Sequence, residues 1–126
     1  MTLKRLRVKP TEAELGILRV LWSRGPSSVR QVLDEMPEGT GYTTVLKLLQ
    51  IMSDKGLVER EESERKHIYT AALAEHETQR QLVGDLLEKA FGGSAQKLVL
   101  SALSTHKPSA KELSEIRNLL DSLEGK

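Results

Sequence analysis

Three short amphipathic segments, each cut off from the next by glycine and proline, constrain the fold of this chain more than any other feature. Apolar residues recur at helical spacing over residues 11–24, 29–36 and 42–55. Gly25 and Pro26 separate the first two segments, and residues 37–41, which begin with a proline and include two glycines, separate the second from the third. The pattern predicts three helices joined by tight breaks.

Capping residues indicate where these helices begin and end. Thr11 and Glu14 have the spacing of a capping box at the start of the first helix, and either Ser27 or Ser28 can cap the second. Gly56 follows the last apolar turn of the third helix, where helices commonly end with a glycine in the left-handed conformation. The caps therefore agree with the limits of the apolar pattern.

Two β-prone runs follow the third helix. Residues 57–60 and 67–70 flank a charged connection, residues 61–66, and together they predict a hairpin about six residues wide at its tip. Three helices followed by a hairpin within about 75 residues is the order of the winged helix, a helix-turn-helix variant whose second motif helix usually lies in a DNA groove. We assign residues 1–74 to a winged-helix DNA-binding domain.

Residues 75–126 carry no β-prone run, and their apolar stripes predict three further helices, the last opened by Ser109 and Glu112 as a capping box. Helices of about 10–17 residues have too little surface to fold stably alone, so we expect them to pack against a second copy in a two-fold homodimer. The residues assigned to dimerisation are Leu82, Leu86, Leu87, Phe91, Leu98, Val99, Leu103, Ile116, Leu119 and Leu120. The predicted fold class is thus mainly α with a small β-hairpin: an N-terminal winged helix-turn-helix and a C-terminal helical dimerisation region.

Composition excludes several classes of function. The chain has no cysteine, which excludes disulfides, zinc fingers, thiolate metal sites and cysteine nucleophiles and agrees with a cytoplasmic location. No uninterrupted apolar stretch approaches about 18 residues, so no membrane insertion is expected. His67, His76 and His106 lack the spacing of a metal site, and no glycine-rich phosphate loop follows a strand. We therefore predict a protein that is not an enzyme and uses no metal or cofactor.

Polar side chains on the third predicted helix are the candidates for contact with double-stranded DNA. Tyrosine and threonine hydroxyls bond phosphates or base edges, glutamine can read adenine, and lysine pairs with phosphate or guanine. The hairpin adds cations that can lie beside a flanking backbone or a narrow minor groove. The residues assigned to DNA binding are Tyr42, Thr43, Thr44, Lys47 and Gln50 on the helix, and Arg65 and Lys66 on the hairpin.

Each of these features also has a purely structural interpretation. Any surface helix has a polar, solvated face, and Thr43 and Thr44 could simply stabilise the helix start. The hairpin interleaves its cations with glutamates, as a solvated, salt-bridged loop does, and the basic arm over residues 4–9 could be a frayed tail. A net charge of +1 is neutral evidence. The alternative function is a winged-helix protein-interaction module without sequence-specific DNA binding.

Specific residues add a family resemblance. Residues 14–22, 42–49 running into 55–58, and 65–69 resemble the BlaI/MecI family of penicillinase repressors, in which a Thr-Thr-Val start of the recognition helix is a fairly specific element. Residues 91–100 and 112–120 also resemble that family, so the likeness covers nearly the whole chain. Leu46 stands where some relatives carry a basic residue, so base readout is not transferred to that position.

The resemblance implies a homodimeric transcriptional repressor that occupies an inverted-repeat operator, often upstream of genes for β-lactamase or a resistant penicillin-binding protein. In characterised members a membrane-bound sensor metalloprotease cleaves the dimerisation region. The corresponding bond here falls near Ser101 and Ala102, where staphylococcal members have an Asn-Phe pair. Copper-responsive relatives end in a cysteine motif that this chain lacks, so thiolate copper sensing is excluded.

Overall fold

The structure, a computed structural model, describes residues 8–125, so the basic side chains among residues 4–7 lie outside the described part of the chain. The described residues form six α-helices and one antiparallel hairpin, in the order α1 (Glu12–Arg24), α2 (Val29–Asp34), α3 (Tyr42–Lys55), β1 (Val58–Ser63), β2 (Lys66–Ala71), α4 (Glu75–Phe91), α5 (Ala95–Thr105) and α6 (Ala110–Glu124). The predicted fold class, mainly α with a small hairpin and an N-terminal winged helix-turn-helix, is confirmed.

Side-chain caps open the helices much as the sequence predicts. Thr11 opens α1 and Ser109 opens α6, each with a complete capping box to the glutamate three residues on. Of the two candidate serines before α2, Ser28 is the cap, and it forms a third box with Gln31. Its neighbour Ser27 does not cap the helix and instead forms a backbone bridge with Tyr69.

Two helix ends show how the chain stops. Gly56 ends α3 in the left-handed conformation, with φ of 84°, as predicted. The apolar stripe predicted that α2 would continue to Met36, but the helix ends at Asp34. The last turn is tight, and Met36 donates its N–H to the carbonyl of Leu33, three residues back, at 3.0 Å. Pro37 then disfavours the α conformation at Met36, so the helix does not continue.

The hairpin is longer and tighter than predicted. Its strands pair in register from Val58 with Ala71 to Ser63 with Lys66, so only two residues form the tip, and the expected six-residue connection is wrong. The tip residues Glu64 and Arg65 both have positive φ, 49° and 67°, as a tight turn between twisted strands requires. The turn contains no glycine or asparagine, so the usual sequence signal for it is missing.

A third backbone segment joins the hairpin. Ser27 forms an antiparallel bridge with Tyr69, in which Ser27 donates its N–H to Tyr69 at 3.0 Å and accepts from it at 2.8 Å. The bridge fixes the start of α2 against β2. The buried apolar core lies between these elements, and its members are Ile17, Leu18, Leu21, Val29, Val32, Val45, Leu49, Met52, Leu57, Val58 and Tyr69.

The chain divides between Val83 and Gly84, inside α4, into two compact units. The first turns of α4 belong to the first unit, where Thr78 is 4% exposed and the Gln81 amide donates to the carbonyl of Val8 at 3.0 Å. In the second unit none of the described side chains, residues 84–125, is buried. No helix among the described residues is long and apolar enough to cross a membrane.

Candidate nucleic-acid interface

Helix α3 has one face in the core and one in solvent. Val45, Leu49 and Met52 are completely buried. The residues predicted to contact DNA from this helix, Tyr42, Thr43, Thr44, Lys47 and Gln50, are all exposed. Thr43, Lys47 and Gln50 follow one another at helical spacing and form a single ridge, with Tyr42 and Thr44 on either side of its start. The structure thus brings the five predicted residues to one accessible surface.

The N-terminus of α3 differs from the starts of α1, α2, α5 and α6. Those four helices open with a serine or threonine whose hydroxyl accepts a first-turn N–H. The N-cap of α3 is Gly41, which has no side chain to offer, and no acidic residue occupies the first turn. The amides of the first turn therefore remain available to an external acceptor, and a helix N-terminus favours an anionic one.

A cleft of about 340 Å³ lies between the start of α2, the start of α3 and the hairpin tip. It brings Tyr42 together with both predicted hairpin residues, Arg65 and Lys66, whereas Thr43, Thr44, Lys47 and Gln50 do not line it. The other described residues in its wall are Ser28, Val29, Arg30, Leu46 and His67. The hairpin cations and the start of α3 therefore line one cleft. The sequence predicted both sets of residues but could not show where they meet.

Arg30, on the exposed side of α2, is a member of this surface that the sequence analysis missed. Its guanidinium carbon lies 5.2 Å from the centre of the Tyr42 ring, a cation–π contact. The two residues lie on different helices, so no periodicity connects them. Only the tertiary packing of α2 against α3 shows that Arg30 belongs with the predicted site.

The described glutamates of the hairpin do not line the cleft. Glu59, Glu61, Glu62 and Glu64 are exposed, and none of them is among the described residues that line it. The hairpin residues that line the cleft are therefore Arg65, Lys66 and His67, and no described glutamate is among them.

The far end of α3 is tied to the start of α1. Lys55 Nζ donates to both carboxylate oxygens of Glu14, at 2.9 and 3.0 Å, and the backbone N–H of Thr11 donates to the same carboxylate at 2.9 Å. Burial raises the pKa of Glu14, but the hydrogen bonds from Thr11 and the ammonium of Lys55 outweigh it and hold the pKa below its usual value of 4.5. This ion pair therefore links the last turn of α3 to the first turn of α1.

The residues predicted for dimerisation lie mostly in the second unit and remain accessible. Leu86 is 50% exposed, Val99 45%, Leu119 58% and Leu120 53%, and Leu82, Leu87, Phe91, Leu98, Leu103 and Ile116 are half-buried. Leu100 and Leu123 add 57% and 75% exposed side chains to the same helices, which the assignment left out. Within the described part of the second unit, no core covers these apolar stripes.

Ser101 and Ala102 lie inside α5 and are exposed. The carbonyl of Ser101, which belongs to the bond between them, accepts from the hydroxyl of Thr105 at 2.7 Å and from that of Ser104 at 3.2 Å. The bond is therefore accessible at the surface but held in regular helix.

Comparison with known proteins identifies the family of this chain. A family model described as "Penicillinase repressor" matches residues 10–122. The penicillinase repressor of Staphylococcus aureus is 22% identical over 122 residues, 95% of this chain and 97% of that protein. The methicillin resistance regulatory protein MecI of Staphylococcus aureus strain N315 is 21% identical over 113 residues, 88% of this chain and 92% of that protein. A solved structure, an ArsR-like transcriptional regulator from Rhodococcus sp. RHA1, has 20% identity and a TM-score of 0.45, covering 79% of this chain and 86% of that chain. This chain belongs to the penicillinase repressor family, whose members are transcriptional repressors and not enzymes.

Proposed function

We propose that this chain is a homodimeric transcriptional repressor that acts in the cytoplasm and binds an inverted-repeat operator by placing α3 in the major groove. The observation that carries the proposal is the exposed start of α3, where uncapped amides, three hydroxyls and Lys47 share one surface. Amides and cations at a helix start hold phosphates, and side chains on the adjoining ridge reach base edges.

The roles of the α3 residues follow from their chemistry. Thr43, Thr44 and Gln50 can bond base edges, and a threonine methyl can contact the methyl group of thymine. Lys47 pairs with a phosphate or with guanine. On the hairpin, Arg65 and Lys66 follow the backbone beside the major groove as the wing of the fold.

The second unit supplies the reason to expect a dimer. Exposed leucines and valines on α4, α5 and α6 leave apolar stripes that water must solvate in the single chain. A second copy can cover these stripes symmetrically, because a two-fold axis presents the same surface from both sides. Two recognition helices set by such a dimer match a palindromic site, with half-sites one helical turn or a multiple apart.

The family suggests which genes are controlled and how repression ends. The two relatives described above are named for penicillinase repression and methicillin resistance, so we place β-lactam resistance or related cell-envelope genes under this repressor. Release by a membrane-bound sensor protease would cut near Ser101 and Ala102. Because that bond lies inside α5, the helix has to unwind locally before a protease can bind it as an extended segment.

Thr44→Ala and Lys47→Ala test this function on a DNA duplex from the upstream region of the protein's own gene and on a random duplex. Thr44→Ala should cost about 1–3 kcal/mol on the specific duplex only, because a base contact carries sequence information. Lys47→Ala should weaken binding to both duplexes and reduce the salt dependence of log K by about 0.9 if its partner is a phosphate.

Lys111→Ala, which removes the same charge from the start of α6, is the matched control and should leave both affinities near wild type. A folded wild-type protein that binds neither duplex at low ionic strength contradicts the proposal. In that case the alternative, a winged-helix protein-interaction module, takes its place.

A further inference from the structure

We propose that the cleft between α2, α3 and the hairpin tip is a phosphate site, that its ligand is one backbone phosphate beside the groove entered by α3, and that Arg30 is a principal donor. The assignment rests on the proposed function, since it names a further DNA contact of the same surface. It adds helix α2 to an interface otherwise made from α3 and the hairpin.

The chemistry of the cleft wall is that of an anion site. Arg30, Arg65 and Lys66 contribute three cations from three separate elements, and the described residues of the wall include no carboxylate. Within the described part of the chain, none of the three cations forms an ion pair, in contrast to Arg24 and Lys55, whose partners are glutamates. Three cations without an ion-pair partner among the described residues, around a cleft of about 340 Å³, favour an anion with several acceptor oxygens.

The contact with Tyr42 prepares Arg30 for this role. A guanidinium lying 5.2 Å from the ring centre is attracted to the ring and loses less freedom when it binds a ligand. No hydrogen bond among the described residues occupies the guanidinium N–H groups of Arg30, so they remain free to donate in pairs to phosphate oxygens. Lysine has no planar group that can donate in pairs in this way.

The position of Tyr42 favours DNA over a free anion as the source of the phosphate. Tyr42 is the first residue of α3 and also lines the cleft, so a ligand in the cleft lies beside the element that enters the groove. Backbone contacts next to a recognition helix fix its register on the duplex. Free inorganic phosphate offers the same oxygens, and the experiment below separates the two sources.

The first arm measures the affinities of Arg30→Ala, Arg30→Lys and Arg19→Ala for the specific and the random duplex across a salt series. Arg19, exposed on α1 and outside the cleft, is the control for the loss of one positive charge. Arg30→Ala should weaken binding about tenfold on both duplexes and lower the salt slope by about 0.9, and Arg19→Ala should do neither. Arg30→Lys should keep the slope and recover only part of the affinity.

The second arm tests the contact between Arg30 and Tyr42 through a double-mutant cycle. Tyr42→Phe keeps the ring and should leave the effect of Arg30→Ala unchanged. Tyr42→Leu removes the ring, so Arg30→Ala should cost less in that background than in the wild type. Equal costs of Arg30→Ala in both backgrounds overturn the claim that Tyr42 prepares Arg30.

The third arm follows the Arg30 side-chain N–H signals by NMR during titration with the duplex and, separately, with inorganic phosphate. A shift on addition of the duplex supports the site. Signals that move with inorganic phosphate but not with the duplex show that the cleft takes a free anion, and they overturn the DNA assignment. Signals that move with neither ligand overturn it as well. If wild type binds both duplexes but Arg30→Ala matches Arg19→Ala, the inference fails while the proposed function stands. If wild type binds no DNA, the proposed function itself fails.

Discussion

Removal of one partner from the ion pair between Glu14 and Lys55 should have a strongly asymmetric effect on stability. The carboxylate of Glu14 is 2% exposed, whereas the Lys55 side chain is 35% exposed. Lys55→Met therefore leaves a buried negative charge whose remaining described partner is Thr11, through its backbone N–H and its hydroxyl. Glu14→Gln leaves an ammonium that can turn to water, and glutamine can still complete the capping box.

The burial of the two partners sets the magnitudes. Losing one partner of a fully buried pair costs about 3–5 kcal/mol, and an exposed pair is worth about 0–1 kcal/mol. Because water reaches Lys55, we expect Lys55→Met to lower the free energy of unfolding by about 2 kcal/mol and Glu14→Gln by about 1 kcal/mol. The double variant should lie close to Glu14→Gln, because it has no uncompensated buried charge.

The pH dependence follows from the lowered pKa of Glu14. Since the folded protein holds this carboxyl below its usual 4.5, the pair contributes fully above that pH and its contribution is lost as the pH falls through the folded pKa. Lys55→Met removes the ammonium that lowers the pKa, so protonation of Glu14 then relieves an unfavourable buried charge. The stability difference between wild type and Lys55→Met should therefore be largest near neutral pH and shrink toward pH 3.

Urea unfolding followed by tryptophan fluorescence measures these stability differences in the first unit, which contains both Glu14 and Lys55. Trp22 is the only tryptophan of the chain and donates to the carbonyl of Leu73 at 3.0 Å within the first unit. Equal losses for Lys55→Met and Glu14→Gln, or a difference from wild type that does not change with pH, would refute the reasoning.

Three further predictions concern other parts of the chain. Tyr69→Phe should be neutral or stabilise the fold by up to about 1 kcal/mol in urea unfolding, because the buried Tyr69 hydroxyl has no hydrogen-bond partner among the described residues; a clear loss of stability counts against this. Gly41→Asp should add a few tenths of a kcal/mol in thermal unfolding by capping α3, and weaken binding to both duplexes about tenfold because the new carboxylate takes the amides that phosphate needs; unchanged affinity would exclude that role. Leu119→Arg should shift the protein from dimer to monomer in sedimentation, whereas Ser114→Arg, on the opposite side of the same helix, should not; a dimer in both would remove α6 from the interface.

Local signals in the sequence were sufficient for most helix boundaries. The Thr11 and Ser109 capping boxes and the Gly56 C-cap lie where the pattern predicts, because each depends on residues within three or four positions. The apolar stripe predicts the end of α2 two residues too late, because it continues to Met36 after the backbone has left the helix. The sequence predicts too long a connection at the hairpin tip. The two tip residues, Glu64 and Arg65, adopt positive φ although neither is a glycine or an asparagine, the residues that usually indicate such a turn.

The candidate site was predictable only in part, for a physical reason. The polar face of α3 follows from helical periodicity, so Thr43, Lys47 and Gln50 could be named in advance. The cation–π contact of Arg30 with Tyr42 and the pairing of Lys55 with Glu14 join residues that share no periodicity, and only tertiary packing brings them together. Sequence patterns therefore identify which face is exposed, and the fold decides what else lies beside it.

The central claim, that two copies of the chain present two α3 helices to one DNA duplex, is tested most directly by footprinting the region upstream of the protein's own gene at low ionic strength, with the protein-to-DNA ratio measured in parallel. We expect two protected half-sites related by an inverted repeat, with centres about 10 base pairs or a multiple apart, and two chains per duplex. A folded protein that protects no sequence, or protects one half-site as a single chain, would contradict the account.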